Sequence, residues 1–205
     1  MSASIAQLIE SRISANHFDT GRDVSEADIS ALVRLATLAP SAYNFQNWKF
    51  VAVRTAEARE RLKAVCFGQQ KVVDAPVTFI ICGVLGAHRS LQRTLQPSVE
   101  AGIVSQAALE NWVAMAAATH TDNPQLQRDE AFRSASLAAM TLMLAAEGMG
   151  LVTGAISGFD AAGIATAFGL AATEVPVILV TTGYAAPGNW AQKLRRPVEE
   201  VLDFA

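Results

Sequence analysis

The sequence predicts an α+β fold. Two apolar runs rich in β-branched residues, 76–84 (PVTFIICGV) and 175–184 (VPVILVTTGY), read as strands buried on both faces. Helical patterns outnumber strand patterns. The two kinds are partly segregated along the chain, in neither a strict βαβ alternation nor an all-helical order. The 205 residues suit one domain, 1–205, and no repeat, low-complexity tract or Pro/Gly/Ser-rich linker divides them.

Taken in order, residues 3–13 form a short amphipathic helix with Ile5, Leu8 and Ile9 on one face. A second helix spans 25–39. Ser25 caps it, Asp28 stands three residues on, Ile29, Leu32, Val33, Leu35 and Ala36 make its apolar stripe, and Pro40 follows its end. Residues 48–54 (WKFVAVR) alternate and read as a strand, and 56–67 as a helix. Residues 98–119 form an Ala-rich helix broken by HTDNPQ. The helix over 126–147 is apolar nearly all round, which marks it as central. A strand at 151–157, a helix at 160–168 and the strand at 175–184 complete the series.

Hydrophobic residues make up 51% of the chain, charged residues only 17%, and the mean hydropathy is +0.26. That is more apolar surface than one modest globule needs, and a second copy of the chain is the simplest cover for it. A net charge of -3 argues against a nucleic-acid partner. Cys66 and Cys82 stand apart in apolar contexts without a CxxC, so they read as buried thiols in a reducing compartment. His17, His88 and His120 form no HxH or HxxxH pair, so no metal site is expected. The N-terminal stretch lacks the pattern of a signal peptide. The longest apolar run, around 135–146, is too short to span a bilayer, so no membrane association and a cytoplasmic location are expected.

Neither a GxSxG elbow nor a Walker P-loop is present. The glycine-rich GMGLVTGAISG (148–158) follows a helix and enters a strand, the reverse of a dinucleotide fingerprint. It reads instead as a helix C-cap at Gly148 or Gly150 and close backbone approach at Gly154 and Gly158. In SRISANHFD (11–19), Arg12, Ser14 and Asn16 are two apart, so an extended backbone puts them on one face as a phosphate grip, or they are an ordinary polar helix end. Lys193, Arg195 and Arg196 form a basic patch before Pro197. The connector APSAYNFQNWKF (39–50) offers a hydroxyl at Ser41 and amides at Asn44 and Gln46. Amides donate and accept together, which suits a heterocycle bearing carbonyl and ring N–H groups; a loop bonded to itself is the other reading.

RISANHF, APSAYNFQNWKFVAV, GQQKVVDAPVTFIICG, GMGLVTGAISGFD and KLRRPVEEV occur in this order. Together they closely resemble the FMN-dependent nitroreductase family over nearly the whole chain. The resemblance implies a homodimer with a central, mostly antiparallel sheet wrapped by helices. The C-terminal segment is exchanged with the dimer partner, and two FMN molecules lie at the interface. It further implies hydride passing from NADH or NADPH through flavin N5 to a nitroaromatic, quinone or related small-molecule acceptor by ping-pong kinetics, with no catalytic side chain. The same fold also hosts dehalogenation, flavin fragmentation and azoline oxidation, and a non-catalytic FMN-binding or storage role is a further alternative.

By resemblance, Arg12 and Ser14 hold the FMN phosphate or its neighbourhood, and Lys193 and Arg195 close on it. Pro40, Ser41, Ala42 and Asn44 line one side of the flavin, and Gln46 follows. Gln69 and Lys71 touch the pyrimidine edge or the ribityl chain. Ile156, Ser157 and Gly158 pack backbone against the ring, with an N–H aimed at N5. Ile13 and Asn16 stand where many relatives carry basic residues, which lowers the flavin potential unless Lys71 compensates, and Ser157 replaces an acidic residue. Trp112, His120 and Phe132 are candidates for the acceptor pocket, or core and surface residues.

Overall fold

The computed structural model describes residues 4–205; residue 3, where the first helix is expected to begin, lies outside them. The helices are α1 (Ile5–Ser11), α2 (Glu26–Ala36), α3 (Ala56–Val65), α4 (Lys71–Asp74), α5 (Leu91–Glu100), α6 (Gln106–His120), α7 (Pro124–Gly148) and α8 (Ala161–Phe168). The strands are β1 (Trp48–Val53), β2 (Val77–Val84), β3 (Val152–Ile156) and β4 (Glu174–Gly183). They form one sheet in the order β1-β2-β4-β3, with every neighbouring pair antiparallel.

Period two along β2 explains why 76–84 is apolar throughout. Val77, Phe79 and Ile81 face α2 and α7, in a core with Leu32, Ala139 and Leu142. Ile80 and Cys82 face the other way, toward Leu62 of α3 and Ile164 of α8. Helices thus cover both faces of the sheet, and α7 packs against all four strands. Its buried side is built of small residues, among them Ala131, Ala135, Ala138 and Ala139, which let the helix lie close to the sheet. Its far side leaves Leu137 and Met140 exposed. The α7 helix ends in a glycine cap: Gly150 takes φ 74°, the Gly150 N–H donates to Glu147 O, and the Leu151 N–H donates to Ala146 O.

Most predicted elements form within two residues of their expected bounds, but two differ and one is additional. The second helix stops at Ala36, and 37–39 close as a tighter turn. The single turn α4 was not anticipated. The helix expected over 98–119 is two helices. Gly102, at φ 70°, separates α5 from α6, and Ser105 caps the new start through the Ala108 N–H. Pro97 lies inside α5, where it masks the helical signal. The α5–α6 hairpin has its own small core of Leu91, Leu95, Leu109 and Ala116, closed by Phe45.

Beyond Gly183 the chain adds no further strand to its own sheet. It runs over the surface with Leu194 98% and Phe204 92% exposed.

Candidate functional site

The first group of site residues gathers at the β3 edge. Arg12 ends α1 in an extended conformation. Ser14 then bridges Thr153 of β3 in parallel, and the Ala15 N–H donates to Thr153 O at 2.8 Å. This segment lies flat because Gly154 has no side chain: a Cβ there would sit 2.6 Å from Ala15 O and 2.6 Å from Thr181 Oγ1. Ala15 is buried and Ser14 exposed, the alternation that two-residue spacing predicts.

Two amides pull the C-terminal segment onto this grip. Asn189 Oδ1 accepts from the Asn16 N–H at 2.8 Å and the His17 N–H at 3.0 Å, while its Nδ2 donates to His17 O at 2.7 Å. Gln192 Nε2 donates to Arg12 O at 3.0 Å and Ile9 O at 3.1 Å. Arg12, Ser14, Lys193 and Arg195 therefore line one cleft of about 50 Å³, floored by Trp190 and Gln192. Lys193 Nζ also stands 5.0 Å above the Trp190 ring. Sequence reasoning missed Asn189 and Gln192; single amides in a coil carry no periodic signal.

Lys71, from α4, places its Nζ 3.4 Å from Asn16 Oδ1. A cation thus does stand beside Asn16. Burial, then the neighbouring Lys193 charge, holds the Lys71 ammonium below its ordinary value. Among the described residues, none of Arg12, Lys71, Lys193 and Arg195 is in an ion pair. Several cations without an acid make a cleft that favours an anion. Ile13 is half-buried, and its carbonyl accepts from Arg12 Nη1 at 3.0 Å.

At the end of β3, Gln69 Nε2 donates to Gly158 O at 2.8 Å and Cys66 O at 3.1 Å, which ties the 69–71 turn to this strand end. Ile156 turns its side chain into the core beneath α3 and α8, so it can offer only backbone. Ser157 and Gly158 are exposed. A Cβ on Gly158 would meet nothing nearer than Gln69 Nε2 at 3.8 Å, so close approach within the chain is real at Gly154 and not at Gly158.

The loop 40–47 forms a second, separate group. Ser41 ties the loop to itself: its Oγ accepts from the Gln46 N–H at 3.0 Å, and its carbonyl from the Asn44 N–H at 3.0 Å. Tyr43, Asn44 and Gln46 all take positive φ, near 50° to 55°, a conformation uncommon for residues with side chains. Phe45 and Asn47 are buried as anchors, while Pro40, Asn44 and Gln46 are exposed and Ser41 and Ala42 half-exposed. The loop enters β1, whose Trp48 pairs with Gly83, whereas Ser14 sits on β3 in the row of Thr153, Thr182 and Val77. Ser14 lies one strand spacing beyond β3, so the two are about 19 Å apart across the sheet and about 20 Å along it at ordinary strand spacings. One chain therefore does not bring Pro40, Ser41, Ala42, Asn44 and Gln46 together with Arg12, Ser14, Lys71 and Arg195.

Two of the three histidines do meet, which their sequence spacing hides. Folding of the α5–α6 hairpin stacks His88 on His120, with ring centroids 5.8 Å apart, and the edge of the pair meets Phe45 and Tyr43 of the loop. Trp112 packs into the hairpin core, and Phe132 lies under Arg128. A surface depression of about 690 Å³ runs along Arg89, Arg93 and Glu100 and contains none of the residues expected at the site. It is formed by one stretch of chain rather than between elements.

The nitroreductase family profile matches residues 9–184. The chain belongs to the nitroreductase family. One relative from Bacillus subtilis, named as an NAD(P)H nitroreductase, YodC, is 30% identical over 188 residues, covering 91% of this chain and 93% of that one. The crystal structure of a nitroreductase in complex with FMN from Exiguobacterium sibiricum superposes with a TM-score of 0.91 at 25% identity, covering 100% and 99% of the two chains. An enone reductase of gut-bacterial fatty acid saturation, CLA-ER, has a TM-score of 0.86 at 25% identity, covering 100% and 99%. The nitroreductase fold of this chain is thus the α+β architecture expected, with a fully antiparallel four-stranded sheet.

Proposed function

We propose that the protein is a homodimeric, single-domain FMN-dependent oxidoreductase. It takes reducing equivalents from NADH or NADPH and delivers them, in a second half-reaction at the same site, to a nitroaromatic, quinone or related small acceptor. The observation that carries this reading is the cleft itself. Arg12 and Ser14 from one end of the chain, and Lys193 and Arg195 from the other, converge with no acid among them. A terminal phosphate of charge near -2 fits that donor set, since paired guanidinium groups can fork onto its oxygens.

FMN, when bound, supplies the transfer of electrons between nicotinamide and acceptor. The chain's residues orient and tune it. Lys71 beside Asn16 supplies positive charge on the side where a reduced ring would be anionic. Gln69 fixes the Gly158 carbonyl, so the backbone at Ser157 and Gly158 presents a rigid, open seat. The amide and hydroxyl groups of Pro40–Gln46 reach that ring only from a second copy of the chain, given their separation from the cleft.

Dimerisation is supported by the apolar surface left uncovered: Leu137 and Met140 on α7, and Leu194, Val198, Val201 and Phe204 in the tail. Among the described residues β1 pairs on one side only, through β2, and we infer that the tail of the partner lies along its open edge. Both cysteines are free and buried, and no described helix is long and apolar enough to cross a membrane; we place the protein in the cytoplasm.

The test is direct. The purified protein should be yellow and release FMN on denaturation. NADH or NADPH should bleach the flavin band anaerobically, and a nitroaromatic, a quinone or an enone should restore it. A colourless protein that takes up no added FMN would overturn the reading. A yellow one that NAD(P)H does not bleach would leave only a flavin-binding role.

A further inference from the structure

The loop 41–47 is held in its strained shape by an element outside the cofactor cleft. Phe45, flanked by the positive-φ residues Asn44 and Gln46, sets its ring edge-on to His120 at 5.1 Å, and Tyr43 meets the same imidazole at 6.2 Å. His88 stacks on the other side of His120. Such backbone conformations persist only where the surroundings over-determine them.

The hydrogen bonding of this pair is incomplete. His120 Nδ1 has two neighbours, the Thr119 hydroxyl at 2.8 Å and Ala116 O at 3.1 Å, whereas Nε2 has none among the described residues. His120 Nε2, His88 Nδ1 and Asn47 Oδ1 are buried without a partner, and all three side chains line one small cavity with Gln127 and Glu130. Each of the three residues is more than nine-tenths buried. Two neutral rings can share that space. A proton added to His88 would place a charge against the His120 ring and near the Arg89 guanidinium. The facing groups are Arg89 beside His88, the Tyr43 phenol from the loop, and Glu130 from α7, which is already paired with Arg133 at 2.7 Å.

We propose that His88 and His120 are positioning residues for the loop 41–47, and that a proton taken up by His88 breaks their stack, so that acid releases the loop. Burial, then Arg89 and His120, does hold the His88 imidazole below its ordinary 6.5. The sign follows from linkage. The released state takes up a proton near pH 6.5 and the closed state only lower, so closure is complete above 6.5 and is lost as pH falls below it. The consequence for the cofactor rests on the reading of this loop as a flavin wall.

The holoprotein tests this with two separate readouts. Hydrogen exchange of 41–47, corrected for its intrinsic pH dependence, should rise by roughly tenfold per pH unit below 6.5 for one linked proton. The rate of FMN release should rise with it. His88→Phe combined with His120→Phe keeps two stacked rings and removes both protons, and should flatten both profiles. Should that variant fail to fold, the imidazole signals of the unmodified protein decide the matter. A His88 ring that titrates at 6.5 while 41–47 stays protected would overturn the proposal. Loop release with FMN retained would uphold the positioning role and overturn the loop's place at the cofactor.

Discussion

Two glycines four residues apart should respond differently to the same substitution, one losing stability and flavin and the other flavin alone. In Gly154→Ala, the new methyl would lie 2.6 Å from Ala15 O and 2.6 Å from Thr181 Oγ1, about 0.8 Å inside the 3.4 Å at which ordinary contact begins. Neither neighbour retreats freely. Ala15 is pinned by its N–H to Thr153 O, and Thr181 Oγ1 donates to Gly154 O at 3.0 Å. Overpacking of this kind costs about 1–3 kcal/mol, and a lost hydrogen bond about 1 kcal/mol more. The stiffer alanine backbone returns about 0.5–1 kcal/mol. A net loss of about 2 kcal/mol lowers Tm by about 4–8 °C in a domain of this size. The displaced strand carries Arg12, Ser14 and Asn16, so FMN retention should fall too. Gly158→Ala meets only Gln69 Nε2 at 3.8 Å, so its Tm should stay within about 2 °C of the parent, while FMN retention falls because the methyl enters the flavin's seat. Thermal unfolding of the apo forms and flavin content after gel filtration separate the two effects. A Gly154→Ala protein as stable as the parent would refute the packing of 12–16 on β3. A Gly158→Ala protein with full flavin content would refute the seat.

Arg195→Ala should weaken FMN retention at least tenfold with little change in apo Tm, because its side chain is exposed and, among the described residues, bonds only to Lys193 O; equilibrium dialysis checks it. Burial pushes the Cys66 and Cys82 thiols up to about 11, so neither should react with a thiol reagent at pH 8 until the protein unfolds. The Lys49 ammonium, 2.8 Å from Glu174, holds that carboxyl below its ordinary 4.5. The stability this confers is present above 4.5 and is lost as pH falls through the lower folded value, so the Tm gap between the parent and Lys49→Met should be open at pH 7 and close in acid.

What the sequence determined by itself is the local and the periodic. Apolar runs at 76–84 and 175–184 read as strands covered on both sides, and Arg12, Ser14 and Asn16 at spacing two could share a face once extended. The ordered motifs carried the family. Pro97 and Gly102 concealed the α5–α6 hairpin, because breakers read alike whether they end a helix or divide two. Only the tertiary structure decided which distant residues meet. Asn189 and Gln192 draw the C-terminal cations onto Arg12, hairpin closure stacks His88 on His120, and the width of the sheet keeps the 40–47 loop away from the cleft in its own chain. Pattern reports the environment along one element. Contact between elements depends on how they pack, and a single amide or imidazole leaves no period from which to read it.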